Sequence, residues 1–367
     1  MSMENTHNAD VQERVERPTR VLMSIRFDGE LPNPYSHLFV RGLPRSVRPM
    51  SFTWGRALAG SYELLHVHWP EELVRDPHGF KRAIKCVLFL ILVAKCKALR
   101  IPIVRTVHNE TPHESTGRTE RLLLKLMDSA TDHWIVMNPA TRSPEGRRRS
   151  HVPHGHYRTA YDIPASCDVV ERSIVFFGEI RHYKNVSMLC HAFLDLPNDE
   201  LYSLTVMGRP GSVDMAEDLR RVVGAEPTVC LRLGYAPSSE LILTIASAHL
   251  VVLPYVRFHN SGAALLALSV GRPILVPDCE SARELMTEFG SDYVKLFGGE
   301  LTAKILRNAL LDTATADLPK PDMQTRDWTM LGDRVARVYE KELAIVGRRL
   351  GGSVQDIAKT PWKEPVH

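Results

Sequence analysis

Ionisable side chains follow three short apolar segments in the first half of this 367-residue sequence. Short apolar segments are typical of buried strands, so the side chains that follow them lie at the carboxyl ends of those strands. An imidazole or a carboxylate in such a place can take a proton from an attacking hydroxyl group. The candidates for this general base, among which the sequence does not choose, are His108, Glu114 and Asp28. The same strand ends also carry His68, Glu71 and His113.

Cations form a second group of candidates, in the other half of the chain. Arg181 and Lys184 lie three residues apart in the loop that follows the predicted strand 173–178. Arginine offers a fork of donors and lysine a mobile point charge, and together they suit a phosphate. A solvated basic loop has the same composition and is the alternative.

Asn260, Ser261 and Gly262 precede a predicted helix of small apolar residues at 262–270. The first turn of a helix presents free backbone N–H groups and the positive end of the helix dipole, and both favour a phosphate. Ser261 is also a plain N-cap candidate, and the two roles are compatible. This segment is therefore a second candidate for binding an anion.

Several other kinds of site are disfavoured. The net charge of +3 is weak for a nucleic-acid-binding protein, so we expect no nucleic-acid partner. The six cysteines form no C-x-x-C pair, and no third ligand lies near His66 and His68, so we expect no metal. His66 is interpreted instead as a core residue. The turn at 208–211 lacks the third glycine of a dinucleotide fingerprint, and we expect no bound cofactor.

Strands and helices alternate along both halves of the chain. Strands are predicted at 20–25, 62–69, 101–108 and 133–137, and then at 173–178, 201–208, 229–234, 249–254 and 273–277. This order indicates βαβ units with parallel strands, so the predicted fold is α/β with two successive Rossmann-like halves. Ligands of open parallel sheets bind beyond the carboxyl ends of the strands, which places the site in the cleft between the halves.

The predicted organisation has five parts. A disordered tail at 1–18 precedes an N-terminal domain at 19–160 and a C-terminal domain at 161–325. A last amphipathic helix at 326–350 is followed by a flexible tail at 351–367. The start of the chain has no apolar core typical of a signal peptide, and its longest apolar run is far short of the roughly 20 residues that span a bilayer. We therefore expect a cytoplasmic protein.

The predicted helix near 80–100 is apolar in its middle and basic at both ends. Its cations include Lys81, Arg82, Lys85, Lys95 and Lys97, and no acid interrupts them. Such a helix can lie at an anionic membrane surface, here the inner face of the plasma membrane. The alternative, weighted equally, is a helix packed on the sheet with its basic ends in water.

The two α/β halves, the motif G-x-I-R-x-Y-K-N, the motif S-G-x-x-L-L-x-L-S-x-G-R-P-I and the closing helix resemble the GT-B glycosyltransferases, closest to their GT4-like group. The resemblance implies that the C-terminal domain binds a nucleotide-sugar donor and the N-terminal domain an acceptor. It assigns the donor diphosphate to Arg181, Lys184 and residues 260–262, and the nucleobase to Gly234 and Tyr235. It also implies that the last helix crosses back to the N-terminal domain.

One feature departs from that group. Many GT4-like enzymes carry an E-x7-E pair before the small-residue helix turn, and here those positions hold Phe258 and Leu266. The absence of both carboxylates weakens the transfer of a retaining mechanism to this chain and is also compatible with a catalytically inactive protein.

The motifs N-P-Y-x-x-L, L-H-x-H-W-P-E, R-T-V-H-N-x-x-P-H-E and V-P-H-G-H-Y resemble a narrower family, the bacterial exopolysaccharide GDP-mannose:glycolipid β-mannosyltransferases. This resemblance implies inverting transfer of mannose from GDP-mannose to a polyprenyl-diphosphate-linked oligosaccharide. Because the basic donor residues can stabilise the leaving diphosphate, no metal ion is required. It identifies His108 as the substrate-facing histidine. It also implies that Asn33, Tyr35, His68, Glu71 and His113 lie on the acceptor side. The alternatives are a catalytically inactive GT-B protein that binds glycan or membrane as a partner subunit, and a sugar-nucleotide epimerase.

Overall fold

A computed structural model describes residues 17–28, 34–108, 117–141, 144–197, 200–313 and 318–349. The first sheet contains β1 (Thr19–Met23), β2 (Val47–Ser51), β3 (Leu64–Val67), β4 (Ile103–Val107), β5 (His133–Val136) and β6 (Arg148–His151). The second contains β7 (Ser173–Phe177), β8 (Ser203–Met207), β9 (Val229–Arg232), β10 (Leu250–Val252), β11 (Ile274–Pro277) and β12 (Val294–Phe297). The predicted tail at 351–367 and most of that at 1–18 lie outside the described residues.

The helices connect successive strands and cover both faces of the sheets. They are α1 (Pro34–Gly42), α2 (Trp54–Ala59), α3 (Gly79–Ala98), α4 (Arg118–Ala130), α5 (Val186–Leu194), α6 (Val213–Val223), α7 (Ser238–Ala246), α8 (Gly262–Val270), α9 (Glu280–Phe289), α10 (Ala303–Leu311) and α11 (Trp328–Arg349). The strand orders are β2-β1-β3-β4-β5-β6 and β12-β11-β10-β7-β8-β9, and all of these neighbours pair in parallel. The predicted architecture of two parallel α/β sheets is confirmed.

Three strands were not predicted, and each lies at an edge of its sheet. They are β2, β6 and β12. An edge strand has one neighbour and need not be a continuous apolar run. The sequence of β6, for example, is Arg-Arg-Ser-His, and its residues alternate between half-buried and exposed. The hydrophobic pattern therefore identified the central strands and missed most of the edges.

The two faces of the first sheet differ in chemistry. Leu65 and Val67 of β3 face a core that α2, α3 and α4 complete. The alternate residues of β3 and β4 point to the opposite face, as they must in a strand, and this face carries His66, Thr106 and then His108. Helices α1 and α11 cover this polar face.

Helix α11 returns to the N-terminal sheet, as the resemblance implied. It crosses α1 at two glycines, and a Cβ atom on Gly332 would lie 1.8 Å from the carbonyl oxygen of Gly42. On the far side of that crossing, the Tyr339 hydroxyl lies 2.6 Å from Nδ1 of His66, whose Nε2 lies 2.8 Å from Oγ1 of Thr106. His66 is fully buried, so its interpretation as a core residue is confirmed. These contacts fix the end of the chain to the sheet.

A buried carboxylate near the end of α11 also joins this helix to the first sheet, at β5 and β6. Glu342 accepts hydrogen bonds from Arg148 and from Nδ1 of His133. Burial opposes ionisation of Glu342, but these hydrogen bonds outweigh it and hold the pKa of the carboxyl below its usual range. A depressed carboxyl pKa contributes stability above the unfolded pKa near 4.5, and that stability is lost as the pH falls further.

We expect Glu342→Gln to lower the free energy of unfolding by about 2 kcal/mol at pH 7, the scale of a hydrogen bond to a charged group. Urea unfolding measures the change. The exposed Glu340 on the same helix gives the matched control, Glu340→Gln, which we expect to be neutral. The difference between Glu342→Gln and the parent should shrink below pH 4.5. A pH-independent difference would contradict the ionic role.

None of the described helices is both long enough and apolar enough to span a bilayer.

Candidate functional site

His108 follows β4 at the carboxyl edge of the first sheet, where three side chains from α1 and from the segment after β3 surround it. Its ring stacks on Trp69 with the ring centres 4.0 Å apart. The edge of Tyr35 in α1 approaches it at 4.9 Å. Its Nε2 lies 3.1 Å from Nδ1 of His68. These contacts fix the plane of the His108 imidazole and leave it 8% exposed.

The two imidazoles of this pair are neutral at physiological pH. Burial lowers the pKa of His68 to about 3. Burial, and then the neighbouring His68, also hold the pKa of His108 well below its usual value. A neutral pair joined through Nε2 and Nδ1 has one donor and one acceptor in that contact. In the tautomer in which Nε2–H of His108 donates to Nδ1 of His68, Nδ1 of His108 keeps a free lone pair that can take a proton.

His68 and Tyr35 are buried more deeply than the acceptor-side prediction implied. His68 is 2% exposed and lies behind His108. Tyr35 is 3% exposed and packs against Trp69, His108, His154 and Trp328. Because α1 and α11 cover this face, both side chains support the site and do not line it.

Of the other residues predicted for this half, Asp28 and Glu71 lie at the edge of the cleft, and the rest lie outside the described residues. The Asp28 carboxylate is 66% exposed and pairs with Arg56 at 3.5 Å. Glu71 lies half-buried in the 3-10 turn Pro70–Leu73. Asn33, His113 and Glu114 lie outside the described residues. The described residues contain no group of three or more His, Cys, Asp or Glu side chains arranged to hold a metal ion.

The opposite side of the cleft begins where β7 and β8 end. A Cβ atom on Gly208 would lie 1.9 Å from the carbonyl oxygen of Gly178, so only glycine permits these strand ends to approach each other. Glu179 follows β7 and accepts a 2.8 Å hydrogen bond from Arg181, while Arg209, which follows β8, lies 3.5 Å from the same oxygen. Burial opposes ionisation, but the two guanidinium groups hold the pKa of Glu179 below its usual range. An anionic group therefore lies between two arginines.

Arg209 was not predicted as a site residue. The sequence showed it only as the residue after a turn glycine, and its contact with Glu179, which it shares with Arg181, depends on β7 and β8 being neighbours. The signal available in the sequence was that a cation follows two of the predicted strands.

Lys184 completes this cluster from the 3-10 turn His182–Lys184. Its Nζ lies 3.4 Å from the point where a Cβ atom of Gly178 would be, and 5.3 Å from the centre of the Tyr255 ring. Burial lowers the pKa of Lys184 to about 8. A buried ammonium of this kind gains from an anion that joins it. Arg181, Lys184 and Arg209 thus form a basic cluster at the carboxyl edge of the second sheet.

The start of α8 connects the two sheets. The Asn260 amide donates a 3.0 Å hydrogen bond to the carbonyl oxygen of His108, across the cleft. Ser261 caps the helix through a 3.2 Å hydrogen bond from the N–H of Ala264. A Cβ atom on Gly262 would lie 2.9 Å from the Tyr157 hydroxyl. Asn260 therefore holds the candidate base against the C-terminal domain. Ser261 has the predicted N-cap role, which is compatible with a phosphate at the same helix end.

Gly234 and Tyr235, the predicted nucleobase residues, follow β9 on the same edge. Tyr235 is 87% exposed, so its ring is available for stacking. At the positions of the E-x7-E pair this chain has Phe258 and Leu266, and both side chains are buried in the core. No carboxylate at these two positions reaches the cleft.

Helix α3 buries one side and exposes an apolar stripe on the other. The buried residues include Phe89, Leu92 and Cys96. The exposed apolar side chains are Phe80, Ile84, Val87, Leu90 and Ile91 on α3, with Leu122 and Leu126 on the adjacent α4. We call these seven residues the α3–α4 stripe. It is bordered by Lys81, Arg82 and Lys97 of α3 and by Arg118, Arg121 and Lys125 of α4, all exposed, although Lys97 also donates a 2.7 Å hydrogen bond to the carbonyl oxygen of Ala130.

The prediction for two lysines of α3 is corrected. Lys85 is half-buried, bonded to the carbonyl oxygen of Arg75 and paired with Asp76. Lys95 is half-buried and donates to the carbonyl oxygens of Ala57 and Gly60. Both lysines hold neighbouring segments in place and do not border the stripe.

Comparison with known proteins gives concordant results. Residues 171–303 match the family model for glycosyl transferases group 1. Over 326 residues the chain is 34% identical to the GDP-mannose:glycolipid 4-beta-D-mannosyltransferase of Xanthomonas campestris pv. campestris, covering 88% of this chain and 93% of that protein. Anabaena HepE in complex with UDP-glucose has a TM-score of 0.59 at 13% identity, over 90% of this chain and 99% of that one. WaaG, a glycosyltransferase of lipopolysaccharide biosynthesis, has a TM-score of 0.53 at 14% identity, over 91% and 100%. The two structures support the fold.

Proposed function

This chain belongs to the GT-B glycosyltransferases, in the family of the GDP-mannose:glycolipid 4-beta-D-mannosyltransferases, and we propose that it transfers mannose from GDP-mannose to a lipid-linked oligosaccharide. The acceptor is carried on a polyprenyl diphosphate, and the product enters exopolysaccharide synthesis. The observations that carry the proposal are that His108 and the basic cluster lie at the carboxyl edges of the two parallel sheets, and that Asn260 of the C-terminal half bonds to the His108 backbone.

The reaction is a single displacement that inverts the anomeric carbon. The acceptor hydroxyl oxygen attacks C1 of mannose, and the bond from C1 to the diphosphate oxygen breaks. His108 takes the hydroxyl proton, and GDP leaves with the electron pair of the broken bond. The lack of carboxylates at Phe258 and Leu266 supports this path over one with retention.

The basic cluster stabilises the leaving diphosphate. When the donor binds, its two phosphate groups replace the Glu179 carboxylate as the partners of Arg181 and Arg209. Lys184 adds a third positive charge. Charge that develops on the diphosphate is thereby neutralised in a partly buried setting, where such contacts are strong. The donor stacks its base on Tyr235. In this proposal the three cations make a metal ion unnecessary.

Titration and turnover together test the proposed function. We expect micromolar binding of GDP and GDP-mannose, weak binding of UDP and UDP-glucose, and transfer to a lipid-linked acceptor that persists in EDTA. Preference for UDP would overturn the mannose assignment. GDP binding without turnover would favour the inactive partner subunit, and conversion of GDP-mannose without acceptor would favour the epimerase. Loss of activity in EDTA would overturn metal independence.

The α3–α4 stripe is proposed to dock on an anionic membrane at the cytoplasmic face of the plasma membrane. No acid of α4 neutralises the six cations that border the stripe, because Glu120 pairs with Arg75 and Asp128 pairs with Arg105. Apolar side chains flanked by cations match the acyl and headgroup layers of such a bilayer. Docking would bring the cleft to an acceptor that cannot leave the membrane.

Liposome flotation tests this docking. We expect the protein to float with anionic vesicles at low salt, and less so at about 1 M salt, where charges are screened within roughly 3 Å. Val87→Glu combined with Leu122→Glu should reduce the bound fraction about tenfold, because two buried apolar contacts are lost and the two new carboxylates are repelled by the anionic surface. Leu311→Glu, at an exposed leucine of α10, is the matched control. Equal loss in both variants, or no flotation of the parent, would contradict the surface.

A further inference from the structure

A cavity of about 470 Å³ lies between the first turns of α3 and α4. It is lined by Arg82, Ala83 and Cys86 of α3, by Arg118 and Glu120 of α4, and by Val74. None of these residues contacts the basic cluster or His108. The cavity is therefore separate from the donor side of the cleft.

The charge inside the cavity is positive. Glu120 is neutralised by Arg75, which lies 2.8 Å from its carboxylate. Neither Arg82 nor Arg118 pairs with a carboxylate of the described residues, and both are exposed. Two unpaired guanidinium groups that face one cavity favour an anion with more than one charge, since each can offer a fork of donors.

The surroundings of the cavity are apolar. Ala83 and Val74 contribute to its walls, and Val87 of the α3–α4 stripe lies one helical turn beyond Ala83. Leu122, which is 67% exposed, likewise lies one turn beyond Arg118. An anion with an attached apolar chain could thus place its charge between the arginines and its chain along the stripe. A free phosphate would use only the first of these features.

The position of the cavity fits an acceptor. Both α3 and α4 begin after strands whose carboxyl ends form the rim of the cleft, so the cavity lies at the same edge of the sheet as His108, on the opposite face. Val74 ends the 3-10 turn that starts directly after Trp69, the residue stacked on His108.

We propose that this cavity binds the diphosphate and the first isoprene units of a polyprenyl-diphosphate carrier. The proposal rests on the proposed function for its acceptor, but it makes a binding prediction that needs no sugar transfer. Arg82 and Arg118 hold the diphosphate, and the α3–α4 stripe takes the chain toward the bilayer.

Protection of Cys86 from alkylation measures binding directly. Cys86 is half-buried in the cavity wall, and exposed Cys230 on β9 of the other domain is an internal reference in the same sample. With saturating farnesyl diphosphate as the probe, we expect Cys86 to react with iodoacetamide about tenfold more slowly, and Cys230 at an unchanged rate. Farnesol and inorganic diphosphate should each protect Cys86 less. Equal protection by inorganic diphosphate would overturn the chain's role, and no protection would overturn the site.

A charge-matched pair of double variants then separates the cavity from the membrane surface. Arg82→Gln with Arg118→Gln should abolish protection of Cys86 and raise the KM for a polyprenyl-diphosphate acceptor about tenfold or more, the scale of lost charged hydrogen bonds. Arg121→Gln with Lys125→Gln removes two cations of the same stripe border outside the cavity and should leave protection intact.

The readouts fail in distinguishable ways. Protection by farnesyl diphosphate without any sugar transfer would retain the site and overturn the proposed function. Transfer that is equally impaired in both double variants, with Cys86 unprotected, would overturn the site and retain the function. A water-soluble alkyl glycoside of the same oligosaccharide should keep its KM in both variants.

Discussion

Replacement of His108 by glutamine is expected to lower the kcat of mannosyl transfer by about 10²–10⁴-fold, the usual contribution of a general base. Binding of GDP-mannose should be unchanged, because the donor is held by the other domain. The link from Asn260 survives the change, since the amide bonds to the backbone oxygen of residue 108. Single-turnover assays with both substrates saturating measure this effect.

The physical case for His108 lies in its environment. Burial and then the neighbouring imidazole of His68 hold the pKa of His108 well below its usual value, so His108 is unprotonated at neutral pH in the free protein. We therefore expect no loss of kcat between pH 6 and 8 from this group. Asp28, by contrast, is mostly exposed to water and pairs with Arg56. Solvation and this ion pair both stabilise its charged form, which makes it a weaker base than a desolvated carboxylate.

Matched variants decide between the three candidates. Asp28→Asn should change kcat little, the modest effect of losing an exposed ion pair. Glu114→Gln tests the candidate that lies outside the described residues. Imidazole added to His108→Ala should restore part of the turnover, which a merely structural role would not allow. If Glu114→Gln gives the large loss and imidazole has no effect, His108 is not the base.

The sequence was sufficient for part of this site because the relevant signals are local. A strand end followed by His108, or by Arg181 and Lys184, is visible in any short window. The burial of Tyr35 was not visible, because Trp328 of α11, which packs on it, lies more than two hundred residues further along. The burial of His68 was not visible either, because Tyr35 and Phe39 of α1 cover it and α1 belongs to another segment. Long-range packing decides which of several strand-end residues reach the cleft.

Helix α3 illustrates the same limit on the membrane side. Its composition left a membrane surface and a core helix equally supported. The fold shows features of each, because Phe89 and Leu92 pack on the sheet while Phe80 and Val87 are exposed. Helix α4 adds Leu122 to the same stripe, and that contribution depends on the two helices being neighbours. The hydrophobic pattern of one helix does not show which other helix packs beside it.

Replacing Arg181 by alanine is expected to weaken binding of GDP-mannose by about 1.5–3 kcal/mol, the scale of a hydrogen bond to a charged group. Lys184→Met should weaken it by a similar amount. The two changes together should reduce affinity roughly 10³-fold, since the diphosphate then keeps only Arg209 of the basic cluster. Arg221→Ala is the charge-matched control, because Arg221 is exposed on α6 and pairs with Asp218.

The pH dependence of binding identifies the contribution of Lys184 by itself. Burial lowers the pKa of Lys184 to about 8 in the free protein, so the side chain loses its charge as the pH rises through that value. A diphosphate prefers the charged form. Affinity should therefore be constant below about pH 7.5 and fall above pH 8, with proton uptake on binding near pH 8. Calorimetry in buffers of different ionisation enthalpy measures that uptake.

Lys184→Arg sharpens the test, because a guanidinium stays protonated throughout this range. This variant should bind GDP-mannose with no fall in affinity between pH 7 and 9, and without proton uptake. If its pH profile matches that of the parent, another group is titrating, and Lys184 does not contact the diphosphate. If Lys184→Met leaves the affinity unchanged at pH 7 while Arg181→Ala lowers it, the donor lies on the arginine side of the cluster, between β7 and β8.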